Sequence, residues 1–221
     1  MAAQVPIHRL QDRREGGILL AGRLAAYAHD PNAIVLALPR GGVPVGYEIA
    51  RALGIALDVF VVRKLGVPGH EELAMGALAS GGTHLLNEGV IAGLNVSREE
   101  IDAAIERERR EVERRERLFR GERPRPELAG KTLVLVDDGL ATGATMRAAI
   151  AALRESSPAR IIVAVPVSSV SVCRDVRKQA DELVCLQTPE PFYSVGTWYR
   201  NFDQTSDDEV RRLLSAAALL R

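Results

Sequence analysis

Aromatic residues and cysteines are scarce in this sequence. The 221 residues include one tryptophan, four tyrosines, four phenylalanines and two cysteines. Cys173 and Cys185 lie in neither a CxxC pair nor a Cys/His cluster, so the sequence favours reduced core thiols over a disulfide framework or a structural zinc site. No apolar run reaches the roughly 18 residues that span a bilayer, and the N-terminus lacks the apolar segment of a signal peptide. These absences predict a cytoplasmic protein without a membrane partner.

Net charge is absent as well, because Lys+Arg and Asp+Glu both number 29. Such a chain has no overall positive field, and it shows no helix-turn-helix pattern, so we expect no nucleic-acid partner. A length of 221 residues suits one large α/β domain. We predict a single domain over residues 1–221, with a core at about 30–187 and a C-terminal hood and helix at about 188–221.

Short apolar runs recur along the chain without polar alternation. That pattern is typical of parallel strands buried on both faces. Because helical segments separate the runs, we predict an α/β fold with a doubly wound, mostly parallel sheet of about five strands and a small hood from the terminal segments. The predicted strands cover residues 34–38, 57–62, 133–136, 161–165 and 182–186, with a weaker one at 83–87.

One strand is followed by an unusual turn. After residues 133–136 come Asp137 and Asp138, and then a turn of small residues that leads into a helix. Small residues and a helix N-terminus suit a phosphate group, and adjacent carboxylates suit hydroxyls or a divalent metal beside it. No Gly-Lys-Ser/Thr follows, so the turn is not a Walker A loop; the alternative is an ordinary turn with a surface Asp pair. The phosphate-binding candidates are Ala141, Thr142, Gly143, Ala144 and Thr145.

The segment VDDGLATGAT resembles the phosphoribosyl-pyrophosphate (PRPP) signature of the type I phosphoribosyltransferases. The resemblance implies transfer of ribose 5-phosphate from PRPP to a nitrogenous base, with release of pyrophosphate and with Mg²⁺ as cofactor. By this resemblance Asp137 and Asp138 hold the ribose hydroxyls, directly or through metal-bound water, and residues 141–145 hold the 5-phosphate. Enzymes for 6-oxopurines carry an acid where this chain has Ala141, so the base is not assigned.

A second strand–turn–helix unit contains Arg40, Gly41 and Gly42. A guanidinium group and free glycine N–H groups can bind pyrophosphate. The turn resembles the pyrophosphate loop of the guanine and xanthine enzymes, which implies a non-proline cis peptide bond, expected here at Arg40-Gly41.

Arg63 and Lys64 end the second predicted strand, and a segment resembling the family's flexible catalytic loop follows. We expect both cations at the carboxyl edge of the sheet, where parallel sheets bind ligands, with Lys64 neutralising the leaving pyrophosphate. Glu71 or Glu72 is the candidate general acid/base. The alternatives are a solvated strand end for the cations and a plain hairpin for the acids.

Five of the aromatic residues lie in the segment FYSVGTWYRNF, residues 192–202. Such a cluster is either a platform for a flat ring or a packed lid. The segment resembles the base-binding hood of hypoxanthine-guanine enzymes, which implies stacking by Phe192 or Tyr193 and backbone contact at Val195.

A capping box at Ser97 opens a helix that alternates arginine and glutamate to about Arg120. We interpret it as a solvated, salt-bridged helix or an oligomer face, and we expect a homodimer. Two other function classes stay open. A PRPP-sensing regulator would bind PRPP without turnover, and a hydrolase on the same scaffold would use water as acceptor.

Overall fold

A five-stranded parallel sheet forms the centre of the protein, seen here in a computed structural model that describes residues 8–219. The strand order is β2-β1-β6-β7-β8, and every neighbouring pair is parallel. The predicted fold class is therefore confirmed. In chain order the strands are β1 (Ala33–Ala37), β2 (Ala56–Val59), β3 (Val62–Val67), β4 (His70–Ala79), β5 (His84–Leu86), β6 (Thr132–Val136), β7 (Arg160–Val167) and β8 (Glu182–Gln187).

Helices cover both faces of this sheet, which is why its central strands are apolar apart from Thr132 and Arg160 at their starts. One face packs against α1, α2 and α7, and the other against α5 and α6. Within residues 8–219 no helix is long and apolar enough to cross a membrane. The helices are α1 (Arg13–Arg23), α2 (Gly42–Leu53), α3 (Glu88–Gly93), α4 (Arg98–Arg120), α5 (Ala144–Arg154), α6 (Val170–Arg177) and α7 (Asp207–Ala218).

A second, antiparallel sheet of β3, β4 and β5 corrects part of the sequence interpretation. Strand β2 ends at Val59, so Arg63 and Lys64 belong to β3 and do not extend the parallel sheet. The expected loop after them is a hairpin that turns at Gly69, where φ is +76°. The physical reason is a separate apolar core, in which Leu65 and Met75 pack with Ile105 and other residues of α4.

The hood is made by both terminal segments. The N–H of Leu10 donates to the Trp198 carbonyl at 2.9 Å, and the N–H of Arg200 donates to the Leu10 carbonyl at 2.8 Å. Tyr199 is buried between them. The first described residues are therefore joined to the aromatic segment beyond the end of the sheet.

Candidate active site

Two adjacent carboxyl groups lie at the carboxyl end of the central strand β6. The N–H of Asp138 donates to Oδ1 of Asp137 at 2.9 Å, and the Asp138 side chain is only 15% exposed. Burial raises the pKa of both groups, and the neighbouring charge of Asp138 raises the pKa of Asp137 further. When both groups are ionised, their negative charge is only partly compensated. A ligand that donates hydrogen bonds or brings positive charge would therefore stabilise the ionised pair.

Arg13 is the protein's own partner for this pair, and the sequence interpretation missed it. Its Nε donates to Oδ2 of Asp138 at 2.8 Å, and its guanidinium group lies 4.0 Å from the ring centre of Phe202. Tyr199 donates its hydroxyl to the Asp138 carbonyl at 2.5 Å, and its ring stacks on Phe202 at 4.9 Å. No local pattern could identify Arg13, because it stands 125 positions before Asp138.

The turn after the acids folds into a loop at the start of α5. Leu140 donates its N–H to the Val167 carbonyl at 3.0 Å, which holds the loop against β7. Gly143 adopts φ of +70°, a conformation that side chains disfavour, and so turns the chain into the helix. Arg147 donates to the Thr142 carbonyl at 2.9 Å from the first turn of α5. The loop thus lies at a helix N-terminus, which can present backbone N–H groups to an anion, and the N–H of Ala144 already donates to Oγ1 of Thr142 at 3.3 Å.

The glycines after β1 pack directly on the acids. A Cβ atom added to Gly41 would lie 2.1 Å from Oδ2 of Asp138, and one added to Gly42 would lie 2.6 Å from the Val136 carbonyl oxygen. The non-proline cis bond is Pro39-Arg40, one bond earlier than expected. The Arg40 side chain turns away from the acids to Asp207, at 3.6 Å between Nη1 and Oδ1. The backbone of this turn, and not the Arg40 guanidinium, approaches the acid pair.

We expect Gly41→Ala to weaken the PRPP binding that the sequence resemblance implies by at least about ten-fold, because the new methyl group must displace the Asp138 carboxylate from Arg13. Calorimetric titration of PRPP with Mg²⁺ measures the effect. Gly22→Ala is the matched control, since nothing lies within 4 Å of its added Cβ. Equal affinity in the two variants would contradict the close packing of the loop on Asp138.

The structure separates the other charged candidates into two groups. Lys64 lines a cavity of about 340 Å³ together with Ala144 and Thr145 of the 141–145 loop. Its Nζ also donates to the Glu72 carbonyl at 3.2 Å. Glu71 and Glu72 lie near the exposed tip of the β3–β4 hairpin and line a different cavity. Lys64 is therefore brought to the loop, whereas the two glutamates are not.

The remaining cation, Arg63, is engaged with α4. Its Nε donates to Oε2 of Glu108 at 3.0 Å. Arg63 therefore fixes the hairpin to the helix and does not share the cavity of Lys64.

The aromatic candidates lie on the hood side of the loop. Phe192 is half-buried and lines an open cavity of about 710 Å³ beside Ser169, at the start of α6. The Tyr193 side chain is exposed, at 82%. Val195 contacts the loop itself, because a Cβ added to Gly139 would lie 2.5 Å from its Cγ1.

Comparison with known proteins places this geometry in context. The family model described as "Phosphoribosyl transferase domain" matches residues 15–209. Proteins from two strains of Mycobacterium tuberculosis, which carry provisional phosphoribosyl transferase names, are 45% identical over 206 residues, or 93% of this chain and 46% of theirs. The chain therefore spans about half the length of these curated relatives. The crystal structure of TT1426 from Thermus thermophilus is 39% identical with a TM-score of 0.82, and the match covers 93% of this chain and 97% of that one.

Proposed function

Because this chain belongs to the phosphoribosyl transferase domain family, we propose that it transfers ribose 5-phosphate from PRPP to a nitrogenous base and releases pyrophosphate. The observation that carries the proposal is the buried Asp137–Asp138 pair at the end of β6, directly before a loop at the N-terminus of α5. Carboxylates and a phosphate-binding helix terminus in that order match the hydroxyls and the 5-phosphate of one ribose phosphate.

In this mechanism the protein positions its substrate and compensates charge. Asp137 and Asp138 accept hydrogen bonds from the ribose hydroxyls, while the 141–145 loop donates to the 5-phosphate. Lys64 faces the phosphate loop from β3 across a shared cavity, so it supplies positive charge to a phosphate group there. Preorganised groups of this kind lower the barrier without covalent chemistry by the protein.

The carboxyl pair also fits Mg²⁺ as the cofactor. Mg²⁺ keeps several waters and is usually held by one or two carboxylates together with substrate phosphates. Asp137 and Asp138 supply two such oxygen donors, and no cluster of three or more possible metal ligands occurs within residues 8–219. When bound, the ion offsets the negative charge of the pyrophosphate group.

Two assays test the proposal. Calorimetric titration of PRPP with and without Mg²⁺ measures binding, and a pyrophosphate-release screen across purine, pyrimidine and pyridine bases measures turnover. Release that depends on one base supports the transferase. Binding without release from any base would favour a regulator, and release without a base would favour a hydrolase.

For the base itself we propose the hood as the binding platform. A double Phe192→Ala/Tyr193→Ala variant should lower kcat/KM for the accepted base by about ten-fold, because a stacked aromatic contributes about 1–3 kcal/mol per base. The affinity for PRPP should not change, because Phe192 lines a cavity that includes neither Asp137 nor Asp138, and Tyr193 is exposed. Unchanged kcat/KM would contradict stacking by these residues.

A further inference from the structure

The two cysteines of the chain lie against each other across α6 and β8. Cys173 is buried in the first turns of α6, and Cys185 is partly exposed in the middle of β8, which is an edge strand of the parallel sheet. Both are free thiols, and a hydrogen bond joins their side chains. Because the two sulfur atoms are neighbours within one chain, a bond between them needs no partner chain.

The surroundings of this thiol pair favour a reactive thiolate. The hydrogen bond from Cys185 lowers the pKa of Cys173 to about 7, against the opposing effect of burial. The Ser168 hydroxyl and the charge of Arg177 lower it as well. The same hydrogen bond raises the pKa of Cys185, which therefore keeps its proton. A thiolate is the nucleophile in thiol oxidation, and a second thiol beside it can convert the oxidised sulfur into a disulfide.

The pair has too few ligands for a structural metal site. Structural zinc sites use four ligands from cysteine, histidine or carboxylate side chains, and no group of three or more such ligands occurs in the part of the chain that the structure describes. Two neighbouring thiols are sufficient, by contrast, for a disulfide.

Hydrogen bonds connect the thiol pair to the loop that follows the acids. The carbonyl of Gln187 accepts from Sγ of Cys185 at 3.3 Å and from the N–H of Ser168 at 3.3 Å. Ser168 is fully buried, and its hydroxyl bonds both to the sulfur of Cys173 and to the Leu140 carbonyl, the latter at 3.3 Å. Leu140 leads directly into the loop of small residues, so the loop and the thiol pair share one serine.

Oxidation would change what this serine can do. Its hydroxyl has one proton, which it donates either to the Cys173 sulfur or to the Leu140 carbonyl. A disulfide has no thiolate charge to compete for that proton, so the hydroxyl would stay on Leu140. The new bond would also tie α6 to β8, and both effects would restrain the loop.

We propose that Cys173 and Cys185 form a reversible disulfide when the protein reacts with a hydroperoxide, and that this modification restrains residues 139–145 through Ser168. The site does not depend on the proposed transferase function, because it uses neither the acid pair nor PRPP.

The oxidation proceeds in two steps. The Cys173 thiolate attacks a hydroperoxide oxygen, so that an S–O bond forms, the O–O bond breaks, and the departing alkoxide takes a proton from water to become an alcohol. Cys185 then attacks the sulfenic sulfur, so that the S–S bond forms, the S–O bond breaks, and the hydroxide leaves as water with the Cys185 proton. The two thiols lose two electrons in total, and the hydroperoxide gains them.

The test is peptide mapping of the folded full chain after treatment with hydrogen peroxide and alkylation of the remaining thiols. Trypsin cleaves after arginine and lysine and so places the cysteines on separate peptides, 161–174 and 179–200. A disulfide should join these peptides within one chain, at a rate independent of protein concentration, and a dithiol reductant should restore both thiols. Unreacted thiols in the folded chain, or links only between chains, would overturn the site.

Cys185→Ala separates a paired site from a lone reactive thiol. Cys173 should then oxidise about five-fold more slowly at pH 7, because its pKa returns toward 9.0 and the smaller thiolate fraction outweighs the higher nucleophilicity of each thiolate. The product should be a sulfenic acid that a β-diketone traps. Val184→Ala is the matched control, since Val184 packs on the opposite face of β8, and it should oxidise as the wild type does.

Equal oxidation rates in the wild type and Cys185→Ala would contradict activation of Cys173 by its neighbour and overturn the paired site. Cys185→Ser, which keeps nearly the volume of the thiol, repeats the sulfenic-acid trapping if the alanine variant does not fold.

Hydrogen exchange measures how far the modification reaches. Amides of residues 139–145 should exchange several-fold more slowly in the oxidised than in the reduced protein. Ser168→Ala should still form the disulfide but lose most of this difference, because the link to Leu140 is gone. Equal exchange in the two redox states of the wild type, or an undiminished difference in Ser168→Ala, would overturn the restraint through Ser168.

Discussion

Replacement of both Asp137 and Asp138 by asparagine is expected to weaken binding of PRPP with Mg²⁺ by at least about 100-fold. Each carboxylate that loses its charge forfeits a charge-assisted hydrogen bond worth about 1.5–3 kcal/mol, and every 1.4 kcal/mol is a factor of about ten in affinity. The amides retain the shape of the site, so the loss reports charge. Calorimetric titration measures this loss of affinity. Near-wild-type affinity in the double variant would contradict a ribose-phosphate site at the end of β6.

The single variant Asp137→Asn should stabilise the folded protein at pH 7. The folded-state pKa of Asp137 lies well above its usual value, first because of burial and then because of Asp138. As pH rises above the ordinary value of 3.8, the unfolded chain loses this proton before the folded chain does, so folding stability falls. Thermal melts should therefore show a higher Tm for Asp137→Asn at pH 7, with the difference shrinking toward pH 4. A lower Tm at pH 7 would contradict this account.

Arg120→Ala is expected to produce the largest loss of stability, about 3–5 kcal/mol, which corresponds to roughly 10 °C in Tm. Arg120 is 7% exposed and donates to Asp58 at 2.9 Å and to Glu116 at 3.2 Å, and both acids are buried. Without it, two carboxylates remain inside the protein with less compensation. Chemical denaturation of the wild type and variant measures the difference.

Two comparisons make this expectation specific. Arg125→Ala removes another partner of the buried Glu116, but the Arg125 side chain is half exposed and Arg120 stays in place on both acids, so the loss should be smaller than that of Arg120→Ala. Burial raises the pKa of Asp58 even with Arg120 present, so loss of the arginine should raise that pKa further. The cost of Arg120→Ala should then diminish as pH falls toward 4 and Asp58 becomes neutral. A pH-independent cost would point to lost packing by the arginine.

The parallel sheet and the order of its acids could be predicted because their signals are local. Apolar runs without alternation identified the strands, and the segment after residue 136 carried the family resemblance, which the family match confirms. The hairpin sheet was missed because the apolar run of residues 59–62 continues without a break from the end of β2 into the start of β3. Only pairing with β4 shows that Phe60 and Val61 separate two strands of different sheets.

The partners of the acids could not be predicted, because they depend on long-range contacts. Arg13 is one of many arginines in the chain, and nothing beside it in sequence distinguishes it. The side-chain direction of Arg40 could not be predicted either. The turn motif favoured pyrophosphate binding near the acids, but the Arg40 guanidinium pairs with Asp207 at the start of α7. Sequence patterns thus pointed to the backbone of the candidate site but not to the distant side chains that pack against it.

The bond from Arg13 to the Asp203 carbonyl joins residues 190 positions apart. Chains are made from the N-terminus and can begin to fold during synthesis. When all eight strands have emerged from the ribosome, Phe202 and Asp203 have not yet emerged. The ring of Phe202 and the carbonyl of Asp203 are then not in place to hold Arg13 beside Asp138. We therefore expect the sheet to form before the site is complete, so that ligand binding by a stalled chain would begin only after residue 203 has left the ribosome.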